Sequence, residues 1–279
     1  MRLLFFTAAA AFALTAPAAA DPPGAQAVLV ERLGLMQLDD RCRLLAPGPR
    51  AALEAGAAQA RGALLRAGWT QTRLGELEAA VDGAARSRAC ADPRTQSAVA
   101  DAREAYDQWA RTSVMEFPGW SRAWVARRTT GPNGWRLSQT IDSNASFGVR
   151  DINGAQALSL VLNQTSATGA RLILRDPRRG HAQALDLTRR VAYGLEAGAP
   201  ATGSRTRTFP STLRTERRPG ARTTQTVFTF PNAAFEAMLA LDPRETVVIE
   251  VLGARTTQRL LVEVGDIAPA RAFLTLRAD

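Results

Sequence analysis

The chain has 279 residues and a formal net charge of +9, and all 35 of its basic side chains are arginines. Because it contains no lysine, amine-dependent chemistry is excluded: Schiff bases, Ser-Lys hydrolysis and the phosphate-binding lysine of P-loops. One histidine and two cysteines cannot build multi-histidine or four-cysteine zinc sites, iron–sulfur clusters or covalent haem. No G-x-G-x-x-G follows a strand pattern and no D-x-D/N-x-D/N-G loop occurs, so we expect neither a cofactor nor a metal. All-oxygen calcium sites are the metal chemistry that this composition leaves open.

The N-terminus has the pattern of a secretory signal peptide. A positive start at Met1-Arg2 precedes an uncharged apolar run over residues 3–14, and Ala18 and Ala20 supply the small residues of a cleavage site. The run is too short to span a bilayer, and no later stretch approaches 18 uncharged apolar residues, so no transmembrane segment is expected. We therefore predict that residues 1–20 are removed and that the mature protein is periplasmic.

Residues 21–116 have the periodicity of amphipathic helices. Leucines recur along one face of a first helix, and Gly48-Pro49 indicates the start of a second, with proline at the first helical position. A third helix begins at Thr72, and Asp92-Pro93 caps a fourth. Four amphipathic helices with short connections predict a small antiparallel helical domain, in which many alanines permit close helix approach but bury little apolar surface.

After residues 117–120 the hydrophobic period changes from 3.6 to two, which indicates strands. Asn153-Gly154 predicts a two-residue hairpin, and Pro219-Gly220 predicts another turn. Strands are expected near residues 120–125, 135–141, 147–151, 157–162, 171–174, 184–191, 205–209, 223–230, 246–251 and 259–264, with short helices from Asn232 and from about residue 269. The chain is therefore assigned to the α+β class, with a mainly antiparallel β domain at 117–279 that forms a sandwich or a partial barrel.

The last 55 or so residues follow the order strand, strand, helix after a short helix, as in Phe235-Glu-Ala-Met-Leu239, Val247-Val-Ile-Glu-Val251 and Leu261-Val-Glu-Val264. This closing pattern resembles the C-terminal part of the invasion-associated locus B family of secreted bacterial proteins. Members of that family usually carry cysteines in this half, and this chain has none there. The resemblance implies a secreted bacterial protein and supplies no catalytic motif.

Cys42 and Cys90 form an even pair in a chain predicted to be exported, which favours a disulfide. Closing this loop would stabilise the helical domain by about 4 kcal/mol in the chain-entropy model. The alternative is a nucleophilic thiol, which would need a histidine-like base. The only histidine, His181, lies in the other half, where Asp176-Pro-Arg-Arg-Gly-His181 reads as a turn leading into a strand.

Charge is divided unevenly between the two halves. Residues 21–118 carry 12 arginines and 13 acids, whereas residues 119–279 carry 22 arginines and 13 acids. The excess concentrates at two predicted turns, which contain Arg175, Arg178, Arg179, Arg214, Arg217, Arg218 and Arg222. Such clusters suit phosphate or carboxylate groups, although solvated loops of an arginine-rich composition would look the same.

These observations predict a non-catalytic exported binding or envelope-associated protein, whose partner is an anionic envelope component or another envelope protein. Export and the absence of a base-stacking motif make nucleic acid a poor candidate. The alternative is a cell-wall glycan hydrolase that uses carboxylates. The acids considered for that role are all expected at the surface: Glu54, Glu76, Glu78, Glu104, Glu250 and Glu263.

Overall fold

The computed structural model describes residues 24–152, 154–163, 166–176, 178, 206–217 and 224–276, which form six α-helices and eleven β-strands. Four helices come first: α1 (Ala25–Cys42), α2 (Pro47–Arg66), α3 (Gln71–Ser87) and α4 (Pro93–Arg111). The strands are β1 (Val114–Pro118), β2 (Ala123–Arg127), β3 (Trp135–Thr140), β4 (Ala145–Ile152), β5 (Ala155–Asn163), β6 (Gly169–Arg175), β7 (Thr206–Pro210), β8 (Thr212–Arg217), β9 (Thr224–Phe230), β10 (Thr246–Leu252) and β11 (Thr257–Glu263). Two short helices, α5 (Asn232–Leu239) and α6 (Ile267–Thr275), flank the last hairpin.

Four helices followed by a strand-rich part confirm the predicted α+β class. Among the helices of the described ranges, none combines the length and the apolar character needed to cross a membrane. The predicted signal peptide, the predicted strand at 184–191 and His181 lie outside the described residues.

Local sequence explains where the N-terminal helices begin. Thr70 caps α3 and Asp92 caps α4, and each side chain accepts a backbone N–H of the first turn, at 3.1 and 2.8 Å. Pro93 follows its cap as predicted. The second helix begins at Pro47, two residues before the predicted start at Pro49. Pro49 is tolerated there because the first four N–H groups of a helix have no intrahelical acceptor.

The predicted disulfide is present between Cys42, the last residue of α1, and Cys90, which lies between α3 and α4. The two Cα atoms are 5.8 Å apart. Beside it, the Arg41 guanidinium donates to the backbone oxygens of Arg86, at 2.6 Å, and Arg88. The end of α1 is thus attached to the end of α3 and to the segment that follows it by one covalent bond and two hydrogen bonds.

All strand pairs are antiparallel, and they form two sheets. The larger sheet has the order β1-β2-β3-β4-β5-β9-β8, and the smaller one has the order β11-β10-β6-β7. The described strands therefore do not close into one barrel. The predicted hairpin at Asn153-Gly154 is confirmed, because β4 and β5 pair from Ile152 with Ala155 through to Ala145 with Leu162.

Buried side chains of both sheets form one hydrophobic core, to which α5 and α6 also contribute. Representative members of this core are Phe147 and Leu160 in the larger sheet, Leu172 and Ile249 in the smaller sheet, Phe235 in α5 and Phe273 in α6. The N-terminal helices have a separate, smaller core that includes Leu29, Leu64, Leu65 and Leu74.

Helix α6 lies between the N-terminal helices and the larger sheet. Its Phe273 ring packs edge-on against Trp109 of α4, with centroids 5.3 Å apart, and lies 5.8 Å from Phe117 of β1. Arg128 donates from Nε to the Phe273 backbone oxygen at 3.0 Å, and its guanidinium stacks over both Phe273 and Trp109. These contacts join the end of α4 to the β part of the chain.

A buried ion pair fastens α2 to α6. Arg66 Nη1 and Nη2 donate to the two Asp266 carboxylate oxygens at 2.6 and 2.9 Å, and the side chains are 9% and 1% exposed. The Asp266 backbone N–H also donates to the Pro118 carbonyl oxygen at 2.9 Å, at the end of β1. The predicted division into domains at 21–116 and 117–279 stays a prediction, and this pair lies across it.

Candidate functional site

The first predicted arginine cluster lies at the end of β6. Arg175 donates from Nε and Nη2 to the Glu245 carboxylate at 2.9 and 2.8 Å, and these hydrogen bonds raise the pKa of Arg175. The Arg178 side chain is exposed, and its backbone N–H donates to Asp176 at 3.1 Å. Arg179 lies outside the described residues. Arg175 is therefore committed to a partner within the chain, whereas Arg178 faces solvent.

The second predicted cluster was expected around a turn, but Arg214 and Arg217 lie in strand β8 instead. This strand pairs with β9 and forms one edge of the larger sheet. The prediction was wrong because an edge strand needs no buried face: Leu213 is its one large apolar residue and is 50% exposed. Arg218 and Arg222 lie outside the described residues.

Strands β7 and β8 are one run of chain that passes from the smaller sheet to the larger one at Ser211. Ser211 continues the pairing, since its N–H donates to the Ala170 oxygen at 3.0 Å and its Oγ accepts from the Ala170 N–H at 3.1 Å. Thr206, at the start of the run, pairs with Arg175, and Arg217 is its last residue. The two clusters therefore lie at the two ends of this run.

The described arginines of the β part differ in their partners. Several are neutralised by acidic side chains, in the pairs Arg136–Asp151 (2.7 Å), Arg171–Glu250 (2.5 Å), Arg175–Glu245 (2.8 Å) and Arg244–Asp242 (2.8 Å). Four exposed arginines form no ion pair with any acid that the structure describes: Arg127, Arg178, Arg255 and Arg259. These four exposed side chains of the β part are thus available to a partner.

Glu263 was predicted at the surface, but it is 1% exposed. Its carboxylate accepts hydrogen bonds from the backbone N–H groups of Trp120, Ser121 and Arg122 and from the Ser121 hydroxyl, the last at 2.6 Å. The backbone N–H of Glu263 donates to Gln139, which is fully buried, at 2.9 Å. The prediction was wrong because the β1–β2 turn, far away in sequence, covers the outer side of β11.

The other candidate acids lie at or near the surface. Glu54, Glu76 and Glu104 are exposed, and Glu54 pairs with Arg50 at 3.0 Å. Glu78 and Glu250 are partly buried and pair with arginines of neighbouring elements, Glu78 with Arg61 at 3.0 Å. The structure brings no two of these six acids into one described cavity.

An acid–arginine network closes the turn between α5 and β10. Arg244 holds both Asp242 oxygens, at 2.9 and 2.8 Å, and the side chain of Gln71 reaches Asp242 from α3 at 3.3 Å. Burial alone would raise the pKa of Asp242, but the hydrogen bonds from Arg244 and Gln71 outweigh it and lower this pKa below its usual value. The network therefore favours the ionised carboxylate and stabilises the fold.

A cavity of about 300 Å³ lies where α1, α2 and α4 meet β1 and the first turn of α6. Its apolar lining includes Leu35, Leu53, Trp109, Met115 and Phe117. This volume falls at the lower end of the range of small-molecule sites. Alanines were expected to allow close packing of the helices. Ala102 and Ala105 of α4 instead line this cavity.

Arg32 forms part of the cavity wall, and the sequence analysis did not single it out. Its guanidinium rests against Gly56 of α2, so closely that a methyl group at residue 56 would come within 2.5 Å of Arg32 Cζ. The only sequence signal is a glycine inside a helix, which costs stability and so indicates a close approach. Five other glycines lie inside α1, α2 and α3, so that signal alone could not distinguish Gly56 from Gly34, Gly48, Gly62, Gly75 and Gly83.

No cluster of three or more histidine, cysteine or acidic side chains that could hold a metal occurs in the described ranges. Comparisons with family models, with curated proteins and with solved structures find no match to the chain. Its function is therefore inferred from the charges, cavities and contacts of the molecule itself.

Proposed function

We propose that the chain is an exported, non-catalytic binding protein that associates with the bacterial envelope through the arginine-rich surface of its β part. The observation that carries this proposal is the unequal pairing of charges. Four acids of the β part are held in internal ion pairs with arginines. The exposed arginines that define the arginine-rich surface have no acidic partner among the described residues: Arg127, Arg178, Arg255 and Arg259.

The chemistry of arginine defines the partner. A guanidinium binds phosphate and carboxylate oxygens through two parallel hydrogen bonds, so the partner is an envelope component or envelope protein that presents such groups. The positive half of the molecule would orient toward an anionic surface. Exposed contacts are screened within about 8 Å at physiological ionic strength, so the association is weak for each residue and sensitive to salt.

Export and the disulfide belong to the same proposal. The disulfide between Cys42 and Cys90 is stable in an oxidising compartment such as the periplasm. The signal-peptide pattern of residues 1–20, with cleavage after Ala20, would deliver the chain there. The resemblance of the last 55 residues to the invasion-associated locus B family agrees with a secreted bacterial protein and stays a prediction.

The alternative, a carboxylate-dependent glycan hydrolase, gains no specific support. The Glu263 carboxylate accepts hydrogen bonds from four donors of the β1–β2 turn. This structural role accounts for its burial. Glu54, Glu76 and Glu104 stand exposed on helix surfaces.

Two assays on the purified mature protein separate these functions. Sedimentation with vesicles of anionic and of neutral phospholipid, over a salt series, measures envelope association. Release of soluble fragments from purified peptidoglycan measures hydrolysis. We expect salt-sensitive retention on the anionic vesicles alone and no fragment release. Fragment release that a single Glu→Gln substitution abolishes would replace the binding function with the enzyme.

A further inference from the structure

The cavity between the helices and the β part differs from the arginine-rich surface in position and in chemistry. Its walls come from α1, α2, α4, β1 and α6, and most of its lining is apolar. Trp109 and Phe117 contribute aromatic surface, and Leu35, Leu53 and Met115 contribute aliphatic surface. An apolar lining of this kind suits a short hydrocarbon or aromatic group.

One cationic group on the cavity wall, Arg32, has no hydrogen-bond acceptor among the described residues. Arg32 donates no hydrogen bond to any residue that the structure describes, and the neighbouring Glu31 interacts with it only through its charge. Burial lowers the pKa of Arg32, and the charge of Glu31 opposes this effect. Because Arg32 is half-buried, its charge is screened less by solvent than that of an exposed arginine, and an anion inside the cavity can form charge-assisted hydrogen bonds with it.

The position of Arg32 is built into the fold. Gly56 leaves the space that the guanidinium occupies, and any side chain there would displace it, because a Cβ at that position would come within 2.5 Å of Arg32 Cζ. Glycine inside a helix is destabilising by roughly 0.5–1 kcal/mol relative to alanine. Helix α2 therefore loses some intrinsic stability at Gly56, and the space that this glycine leaves is occupied by the Arg32 side chain beside the cavity.

The remaining polar lining fits an anion on the Arg32 side of the cavity. Glu31 and Asp101 also border the space, but both are exposed, so water screens their charges. Gln59 and Tyr106 add neutral polar groups. Arg32 is therefore the charged group that a ligand inside the cavity meets with the least screening by solvent.

We propose that this cavity binds a small amphipathic carboxylate, with its hydrocarbon chain against the apolar lining and its carboxylate paired with Arg32. A planar guanidinium and a carboxylate can form two parallel hydrogen bonds, so the ligand would supply the acceptors that the described residues do not supply to Arg32. This site is separate from the arginine-rich surface and does not require it.

Calorimetric titration of the full mature protein with octanoate, octanol and octylamine tests the site, since the three ligands share one chain and differ in the head group. Octanoate should bind at least about tenfold more tightly than octanol or octylamine. Octylamine binding as tightly as octanoate, or no octanoate binding, would overturn the proposal.

Variants assign the binding to Arg32. Arg32→Gln should weaken octanoate at least about fivefold and leave octanol unchanged. Gly56→Ala should do the same by displacing the guanidinium, while thermal melting shows that the variant is folded. Arg43→Gln, at an exposed arginine after α1, and Gly75→Ala, at a helical glycine with open space, are the matched controls. Equal octanoate affinity in Arg32→Gln and the native protein would contradict the proposal. Vesicle association should persist in Arg32→Gln, which separates this test from that of the proposed function.

Discussion

Arg66 and Asp266 are 200 residues apart in sequence, yet they form a two-hydrogen-bond ion pair that is almost fully buried. Burial raises the pKa of the Asp266 carboxyl above its usual value, and the Arg66 charge opposes this effect. The pair joins the C-terminal turn of α2 to the N-terminus of α6. It therefore couples the helical part of the chain to the β part at one point.

A glycine substitution tests this coupling without removing a charge. A methyl group at Gly62 would come within 2.5 Å of Asp266 Oδ1, so Gly62→Ala should separate the ion pair and destabilise the protein by about 3 kcal/mol. The matched control is Gly75→Ala, where nothing lies within 4 Å and the change should stabilise α3 by roughly 0.5–1 kcal/mol. Urea unfolding measures both, and equal effects of the two substitutions would contradict the role of the pair.

Glu263 should be required for stability. Glu263→Ala leaves several backbone N–H groups of the β1–β2 turn without an acceptor, so we expect a loss of at least about 2 kcal/mol in the free energy of unfolding. Glu54→Ala, at an exposed helix position, should change it by less than about 0.5 kcal/mol. A Glu263→Ala protein as stable as the Glu54→Ala protein would show that the turn does not depend on this carboxylate.

The pH dependence of stability should contain a contribution from Asp242. Its pKa is lowered in the folded protein, so its ionised form stabilises the fold above the unfolded pKa of about 3.9, and this stabilisation is lost as the pH falls through the folded value. Asp242→Asn should destabilise the protein at pH 7, and the difference from the native protein should shrink below about pH 4. Unfolding curves at several pH values measure it, and a difference independent of pH would contradict the assignment.

Limited proteolysis tests the predicted two-domain organisation. Cleavage is expected near residues 116–133, and it should leave an N-terminal fragment that contains the four helices and retains the Cys42–Cys90 disulfide. One indivisible proteolytic product would count against two domains.

Thiol titration of the denatured protein should find no free thiol, because Cys42 and Cys90 are bonded to each other. Two free thiols per chain would contradict the disulfide.

The helices, the disulfide and most strands followed from sequence because each has a local cause. Periodicity, Asp92-Pro93 and Asn153-Gly154 act within a few residues, and the only two cysteines have one pairing. Strand β8 could not be found this way, because an edge strand can be polar on both faces. Glu263 is buried by the β1–β2 turn, and Arg32 is placed by the space beside Gly56. Both contacts involve residues that are distant in sequence, so the hydrophobic periodicity of a single element cannot predict them.

The most direct test of the proposed function compares two variants in anionic-vesicle sedimentation at low salt. One replaces the four exposed, unpaired arginines of the β part, Arg127, Arg178, Arg255 and Arg259, with glutamine, and the control replaces the exposed Arg43, Arg88, Arg94 and Arg111 of the helical part. Each removes the same charge, and an arginine near an anionic surface contributes about 1 kcal/mol. We predict that the first variant loses at least about tenfold in vesicle affinity, whereas the control retains most of it. Equal retention of both variants would contradict binding through the arginine-rich surface.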